Sequence, residues 1–184
     1  MLLDKEKSCL VIVDVQEKLT PKVVAAKAFV EKTNWLMRLA SELDVPILVC
    51  EQYRKGLGST IAALKDFLPT QQVCEKLSFS AYRDPNFQQA LAHIHRKQVV
   101  LVGIETHVCI LQTALDLQSQ GHQVYVVSDA VSARHVYDHQ VALDRMKQLG
   151  VQIMTAEMVF YEWIKDAGTP MFKALNQAFI MKKD

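Results

Sequence analysis

The stretch "VVLVGIETHVCILQ", residues 99 to 112, decides the fold, because an aliphatic run passes within a few residues into a segment with helical spacing. The run 99 to 103 is hydrophobic throughout rather than alternating, which is typical of a parallel strand covered on both faces. The segment after it places Val108, Leu111 and Leu115 on one helical face. The thiol of Cys109 therefore lies just past the end of a predicted strand.

Runs of the same kind recur on either side of this stretch, with helical spacing between them. Alternating strands and helices favour a three-layer α/β/α domain with helices on both faces of the sheet. We expect a Rossmann-like, doubly wound parallel sheet of six strands in the order 3-2-1-4-5-6. The other five runs are "CLVIV" (9 to 13), "PILVC" (46 to 50), "QVCEK" (72 to 76), "VYVVS" (124 to 128) and "VQIM" (151 to 154).

Length and composition predict one domain that covers residues 1–184, with half of the residues apolar. The tail from residue 168 carries apolar residues at helical spacing, so it packs either as a terminal helix in the core or against another subunit; core packing is favoured.

Charge and hydropathy each exclude one class of partner. There are 21 Lys+Arg against 20 Asp+Glu, a net charge of +1, and no long basic run, so nucleic acid is not expected. No apolar stretch is long enough to span a bilayer, and the start lacks a secretory core, so no membrane partner is expected. The four cysteines form no Cys-x-x-Cys pair. We expect them to be reduced thiols, in keeping with a cytoplasmic protein.

Three ionisable residues of different types fall at or just beyond predicted strand ends. Asp14 follows the first run, Lys76 ends the third, and Cys109 follows the fourth. In an open parallel sheet the crevice lies beyond the carboxyl ends of the strands, where the winding direction reverses. Taken singly, these residues could be a helix N-cap, a solvated charge and a small apolar filler; together they predict a catalytic cluster.

Four motifs carry a family resemblance, and they occur in order over nearly the whole chain, from about Leu10 to Lys173. They are "LVIVDVQEKL" (10 to 19), "EKLSFSAY" (75 to 82), "VVLVGIETHVCILQTALDL" (99 to 117) and "VYVVSDAVSAR" (124 to 134). The chain resembles the isochorismatase-like cysteine hydrolases, the superfamily that also contains the nicotinamidases and N-carbamoylsarcosine amidohydrolase. Several motifs in the correct order are far more specific than one.

The resemblance implies a catalytic triad of Asp14, Lys76 and Cys109. It also implies a cis peptide bond between Ile104 and Glu105, with the Glu105 and Cys109 backbone amides directed at a developing oxyanion. The implied reaction cleaves a non-peptide C–N bond of a small molecule, of the amide or carbamoyl type, through a Cys109 thioester. We expect the helix N-terminus and Lys76 to lower the pKa of Cys109 from about 8.5 and so to favour the thiolate.

The chain departs from its better known relatives in the segment after the second strand. The nicotinamidases carry metal-binding histidines there, whereas "CEQYRKGLGST" (50 to 60) contains none. We therefore predict no catalytic metal and no cofactor, and nicotinamide is disfavoured as the substrate. Isochorismatases proper lack the cysteine, so Cys109 also disfavours isochorismate. We expect Gln52, Tyr53, Phe79 and Thr106 to line the substrate pocket, although the two aromatic residues could equally pack between loops.

Two functions from different classes remain open at this point. The first is the cysteine hydrolase, acting on a small molecule and assembled as a homo-oligomer, as its relatives commonly are. The second is a binding or scaffold protein that retains the fold and the triad without important turnover.

Overall fold

The computed structural model describes residues 1–68 and 73–181. Its sheet has six parallel strands in the order β3-β2-β1-β4-β5-β6, which confirms the predicted winding. The two halves meet between β1 and β4, so the ends of these strands form the reversal point. The strands are β1 (Ser8–Val13), β2 (Ile47–Gln52), β3 (Val73–Lys76), β4 (Gln98–Ile104), β5 (Gln123–Ser132) and β6 (Gln152–Met154).

Helices cover both faces of the sheet, as the alternating pattern predicts. One face packs against α1, α6 and α7, and the other against α3, α4 and α5. The short α2 follows β2. The helices are α1 (Ala26–Glu42), α2 (Arg54–Leu57), α3 (Pro85–Ile94), α4 (Leu111–Ser119), α5 (Val136–Gln148), α6 (Ala156–Ile164) and α7 (Pro170–Phe179).

The central strand β1 explains why the core has two layers. Every residue of β1 is buried. Successive side chains of a strand point to opposite faces, so Leu10 and Ile12 join the core under α1, while Cys9 and Val11 join the core under α3 and α4. Removal of this apolar surface from water stabilises both layers and holds the end of β1 in place.

Some element boundaries differ from those predicted. Residue 72 of the third run lies outside the described residues, and β5 continues four residues past the predicted end, with its pairing to β4 shifting register between Leu101 and Gly103. The segment around Cys109 differs more. Residues Thr106–Ile110 form a single π-helical turn ahead of α4. Cys109 therefore lies in that turn and not in the first turn of an α-helix.

The predicted terminal helix is confirmed as α7, and it packs in the core of the same chain. Leu175 and Phe179 are buried against the layer under α1. The Phe179 ring meets Trp35 edge to face, with 5.3 Å between ring centroids, and the Trp35 indole N–H donates to the Phe179 carbonyl at 3.2 Å. Aromatic pairs of this geometry add stability beyond the area that they bury.

Gly103 lets the ends of β1 and β4 approach each other closely. Its φ is +126°, and a Cβ built on it would lie 2.0 Å from the carbonyl oxygen of Val13. The clash would be with backbone, which cannot move aside as a flexible side chain can. Glycine in a strand often marks such a close approach, and here the contact lies directly before Asp14.

We expect Gly103→Ala to lower the free energy of unfolding by at least about 3 kcal/mol, because it adds a backbone clash to a strained φ. Gly121→Ala is the matched control, since Gly121 also has positive φ, +82°, but open space where a Cβ would lie. That variant should lose only about 1 kcal/mol. Urea denaturation measures both, and equal losses would show that the contact with Val13 is not what requires glycine.

Candidate active site

A fully buried ion pair lies beyond the carboxyl ends of β1 and β3. The Nζ of Lys76 is 2.8 Å from Oδ2 of Asp14, and both side chains are 0% exposed. Asp14 follows Val13 with φ +55°, in the left-handed region, where the chain turns out of the sheet. Aspartate is among the few residues besides glycine that adopt this conformation readily.

The Lys76 ammonium is surrounded by acceptors. Besides Asp14 it donates to Gln52 Oε1 at 2.6 Å, to the Phe79 carbonyl at 3.1 Å and to the Ser78 carbonyl at 3.3 Å. An ammonium has three N–H donors, so four acceptors occupy all of them. Lys76 is therefore held as a fixed positive charge beside the carboxylate.

Cys109 is the third member of the cluster. Its side chain is buried at 7% exposure, and the charges of both Asp14 and Lys76 act on the pKa of its thiol. The second carboxylate oxygen of Asp14, Oδ1, is buried and has no hydrogen-bond partner within the described residues. That oxygen is free to receive a proton. The peptide bond between Ile104 and Glu105 is cis.

The pKa of Cys109 moves in the direction opposite to the one expected from sequence. Burial, reinforced by the negative charge of Asp14, raises it to about 12, and the Lys76 charge only partly opposes this. The expectation of a lowered pKa is wrong because it considered only the nearby cation and the helix N-terminus. Deep burial disfavours the charged thiolate, and this effect is larger. Burial also raises the pKa of Asp14, against the opposing effect of Lys76. A raised pKa favours the neutral thiol in the resting site.

The expected pocket residues have different environments. The side chain of Gln52 binds Lys76 and also donates from Nε2 to the Leu77 carbonyl at 2.7 Å. Tyr53 and Phe79 are about half exposed, at 48% and 54%. Thr106 is fully buried, with Oγ1 hydrogen-bonded to Nδ1 of His139 at 2.9 Å. Of the four, the two aromatic side chains are the most exposed, whereas Gln52 is half-buried.

A surface cleft of about 660 Å³ adjoins the end of β3. Tyr53, Leu77 and Arg83 line it, together with Lys76. A ligand in this cleft would touch Tyr53, one of the two exposed aromatic residues, but the lining includes neither Asp14 nor Cys109. The cleft is large enough for a small molecule.

Sequence reasoning missed Gln16, which lies in the first motif two residues after Asp14. It is fully buried, and its Nε2 donates to the Gln52 carbonyl at 2.9 Å and to the Gly58 carbonyl at 2.6 Å. Its Oε1 accepts from the Gln52 amide at 2.7 Å. Gln16 thus holds Gln52 where it meets Lys76. A polar residue so close to a buried strand end was the available signal.

Residues 1–68 and 73–181 contain no group of three or more His, Cys, Asp or Glu side chains placed to hold a metal ion. The helices in these ranges include none with both the length and the apolar character that a membrane crossing requires.

Comparison with known proteins places the chain in a family. A model of the isochorismatase domain matches residues 8–158. The secreted isochorismatase effector Isc1 of Phytophthora sojae is 37% identical over 174 residues, which span 92% of this chain and 83% of that protein. Both matches agree with the resemblance in the motifs.

Solved structures give the same result. The MAR1 ribonuclease of Caenorhabditis elegans has a TM-score of 0.91 and 34% identity, covering 100% of this chain and 94% of that one. The YcaC gene product of Escherichia coli is described as an octameric hydrolase of unknown specificity. It has a TM-score of 0.91 and 26% identity, covering 98% of this chain and 92% of that one. The family matched by the domain model comprises hydrolases. The chain belongs to the isochorismatase family, as its motifs predict.

Proposed function

We propose that the protein is a cysteine hydrolase that cleaves an amide or carbamoyl C–N bond of a small molecule, with Asp14, Lys76 and Cys109 as its catalytic residues. The observation that carries the proposal is the fully buried Lys76–Asp14 ion pair acting on the Cys109 thiol. A buried pair of charges stabilises a fold only weakly. Perturbed ionisable groups clustered at a sheet's reversal point are typical of a catalytic site.

Acylation begins with transfer of the thiol proton to Oδ1 of Asp14 as the Cys109 sulfur attacks the carbonyl carbon. The carbonyl oxygen becomes an oxyanion, for which the Glu105 and Cys109 backbone amides are the proposed donors. When the tetrahedral species collapses, the C–N bond breaks and Asp14 returns the proton to the leaving nitrogen. Ammonia or an amine departs, and a thioester remains on Cys109.

Deacylation uses the same groups in reverse. Asp14 takes a proton from water, whose oxygen attacks the thioester carbon, and the proton returns to sulfur as the C–S bond breaks. The upward shift in the pKa of Asp14 is in the direction that a group acting in turn as base and acid needs. The raised pKa of Cys109 means that the proton leaves sulfur during the attack, not before it.

The substrate class, assembly and compartment are part of the same proposal. The balanced charge and the small cleft support a small-molecule substrate and not nucleic acid. The octameric relative supports a homo-oligomer. The four cysteines of the chain are free thiols, which supports a reducing compartment such as the cytoplasm.

A screen of small amides, ureas and carbamoyl compounds for released ammonia or amine tests the proposal. We expect turnover of at least one class, and acid-quenched samples should carry the acyl group on the Cys109 peptide in mass spectra. The same preparation is given RNA, because one relative is described as a ribonuclease. RNA cleavage without an acyl adduct would overturn the proposal, and stoichiometric ligand binding without product would favour the scaffold alternative.

A further inference from the structure

The turn that bears the nucleophile is organised around the Glu105 carbonyl. That oxygen accepts from the Val108 amide at 3.1 Å and from the Ile110 amide at 3.2 Å, the residues on either side of Cys109. The turn has no side-chain cap at its start. The position of the Cys109 sulfur therefore depends on what holds Glu105.

Glu105 is held by Arg134, which follows β5. The Arg134 Nε donates to both carboxylate oxygens of Glu105, at 3.2 and 3.0 Å, and the Arg134 backbone amide donates to one of them at 3.0 Å. The Glu105 side chain is only 14% exposed. Such a charge-assisted contact at several points fixes orientation better than a single hydrogen bond does.

The next residue of the turn is held from the same segment. Thr106 Oγ1, fully buried, is bonded to Nδ1 of His139 in the first turn of α5. His139 also borders an apolar pocket of about 260 Å³ whose lining includes Phe29 and Val136. Within the described residues, the hydrogen bond to Thr106 is the one polar contact that orients the imidazole.

We propose that Arg134 and His139 are positioning residues that hold the Glu105–Thr106 segment and thereby keep the Cys109 sulfur beside Asp14. The inference rests on the proposed function only in taking Cys109 as the nucleophile. Loosening the turn moves the thiol away from the carboxylate and towards water, where it ionises more readily. Its reaction with a simple alkylating agent then becomes faster.

The test measures alkylation of Cys109 by iodoacetamide at pH 8, peptide by peptide in mass spectra, in the intact chain. Thr106→Val, His139→Leu and Arg134→Met should each accelerate it about fivefold or more, while Thr106→Ser and His139→Asn, which keep the bonding atoms, should match the wild type. The double variant Thr106→Val/His139→Leu should react no faster than the faster single variant, because both changes break the same bond.

Three results would overturn the inference: unchanged rates, multiplied effects in the double variant, or faster labelling of Cys9, Cys50 and Cys74 as well. The last would show that these residues stabilise the whole fold and not the turn. No substrate is needed for this measurement. Failure of the inference is therefore distinct from failure of the proposed function, which the screen reports.

Discussion

Replacing Cys109 by alanine is expected to reduce turnover to the uncatalysed background, a loss of at least about 10⁴-fold, with the fold intact. The sulfur forms the bond to the substrate, and no other residue of the chain replaces it in the proposed cycle. Loss of one small buried group lowers the free energy of unfolding by only about 1–2 kcal/mol. Ammonia release on the best compound of the screen and urea denaturation measure the two effects.

Cys9→Ala is the matched control for this experiment. Cys9 is buried in the same core layer, and burial raises the pKa of its thiol to about 12 as well, but neither Asp14 nor Lys76 acts on it. The control should lose similar stability and keep full activity. If Cys109→Ala retained more than about a tenth of the wild-type rate, the thioester would be excluded and Asp14 would have to activate water directly.

Asp14→Asn is expected to separate catalysis from the reactivity of the thiol. Turnover should fall about 10²- to 10⁴-fold, because no group remains to carry the proton between sulfur and the leaving nitrogen. Asparagine tolerates the left-handed φ of this position and keeps an oxygen for Lys76. The carboxylate's charge, however, is gone.

Alkylation of Cys109 by iodoacetamide should accelerate in the same variant. The Asp14 charge raises the pKa of the thiol and Lys76 lowers it, so removing the carboxylate lowers this pKa. A lower pKa means more thiolate at pH 8, by about tenfold for each unit, and the reagent needs only thiolate. We expect at least about a tenfold faster rate, with Cys9 unchanged. Parallel losses of turnover and alkylation would instead make Asp14 the activator of the resting thiol.

The sheet order and two members of the cluster could be predicted because they depend on short stretches of chain. Apolar runs without alternation identify parallel strands, and the residue that ends or directly follows such a run, Lys76 or Asp14, must face the crevice. Cys109 was placed correctly past β4. Its surrounding turn was not, because a π-helical turn has no sequence signal that separates it from an α-helix.

What the sequence could not show depends on how deeply side chains are buried and on contacts between distant segments. The rise in the pKa of Cys109 follows from burial, which no local pattern reports. The pairs Glu105–Arg134 and Thr106–His139 join residues 29 and 33 positions apart. They meet because β5 runs on past its predicted end beside β4, and the shift in register there was not visible in the residues.

The crowded surroundings of Lys76 have a consequence for where protons travel. An ammonium with every N–H engaged and a carboxylate alongside that raises its pKa gives up no proton in the neutral range. Acylation then moves a single proton from the Cys109 sulfur to the Asp14 carboxylate and on to the leaving nitrogen of the substrate. Each transfer takes place inside the site. Bulk buffer takes no part in that half of the cycle, so its concentration leaves the acylation rate untouched.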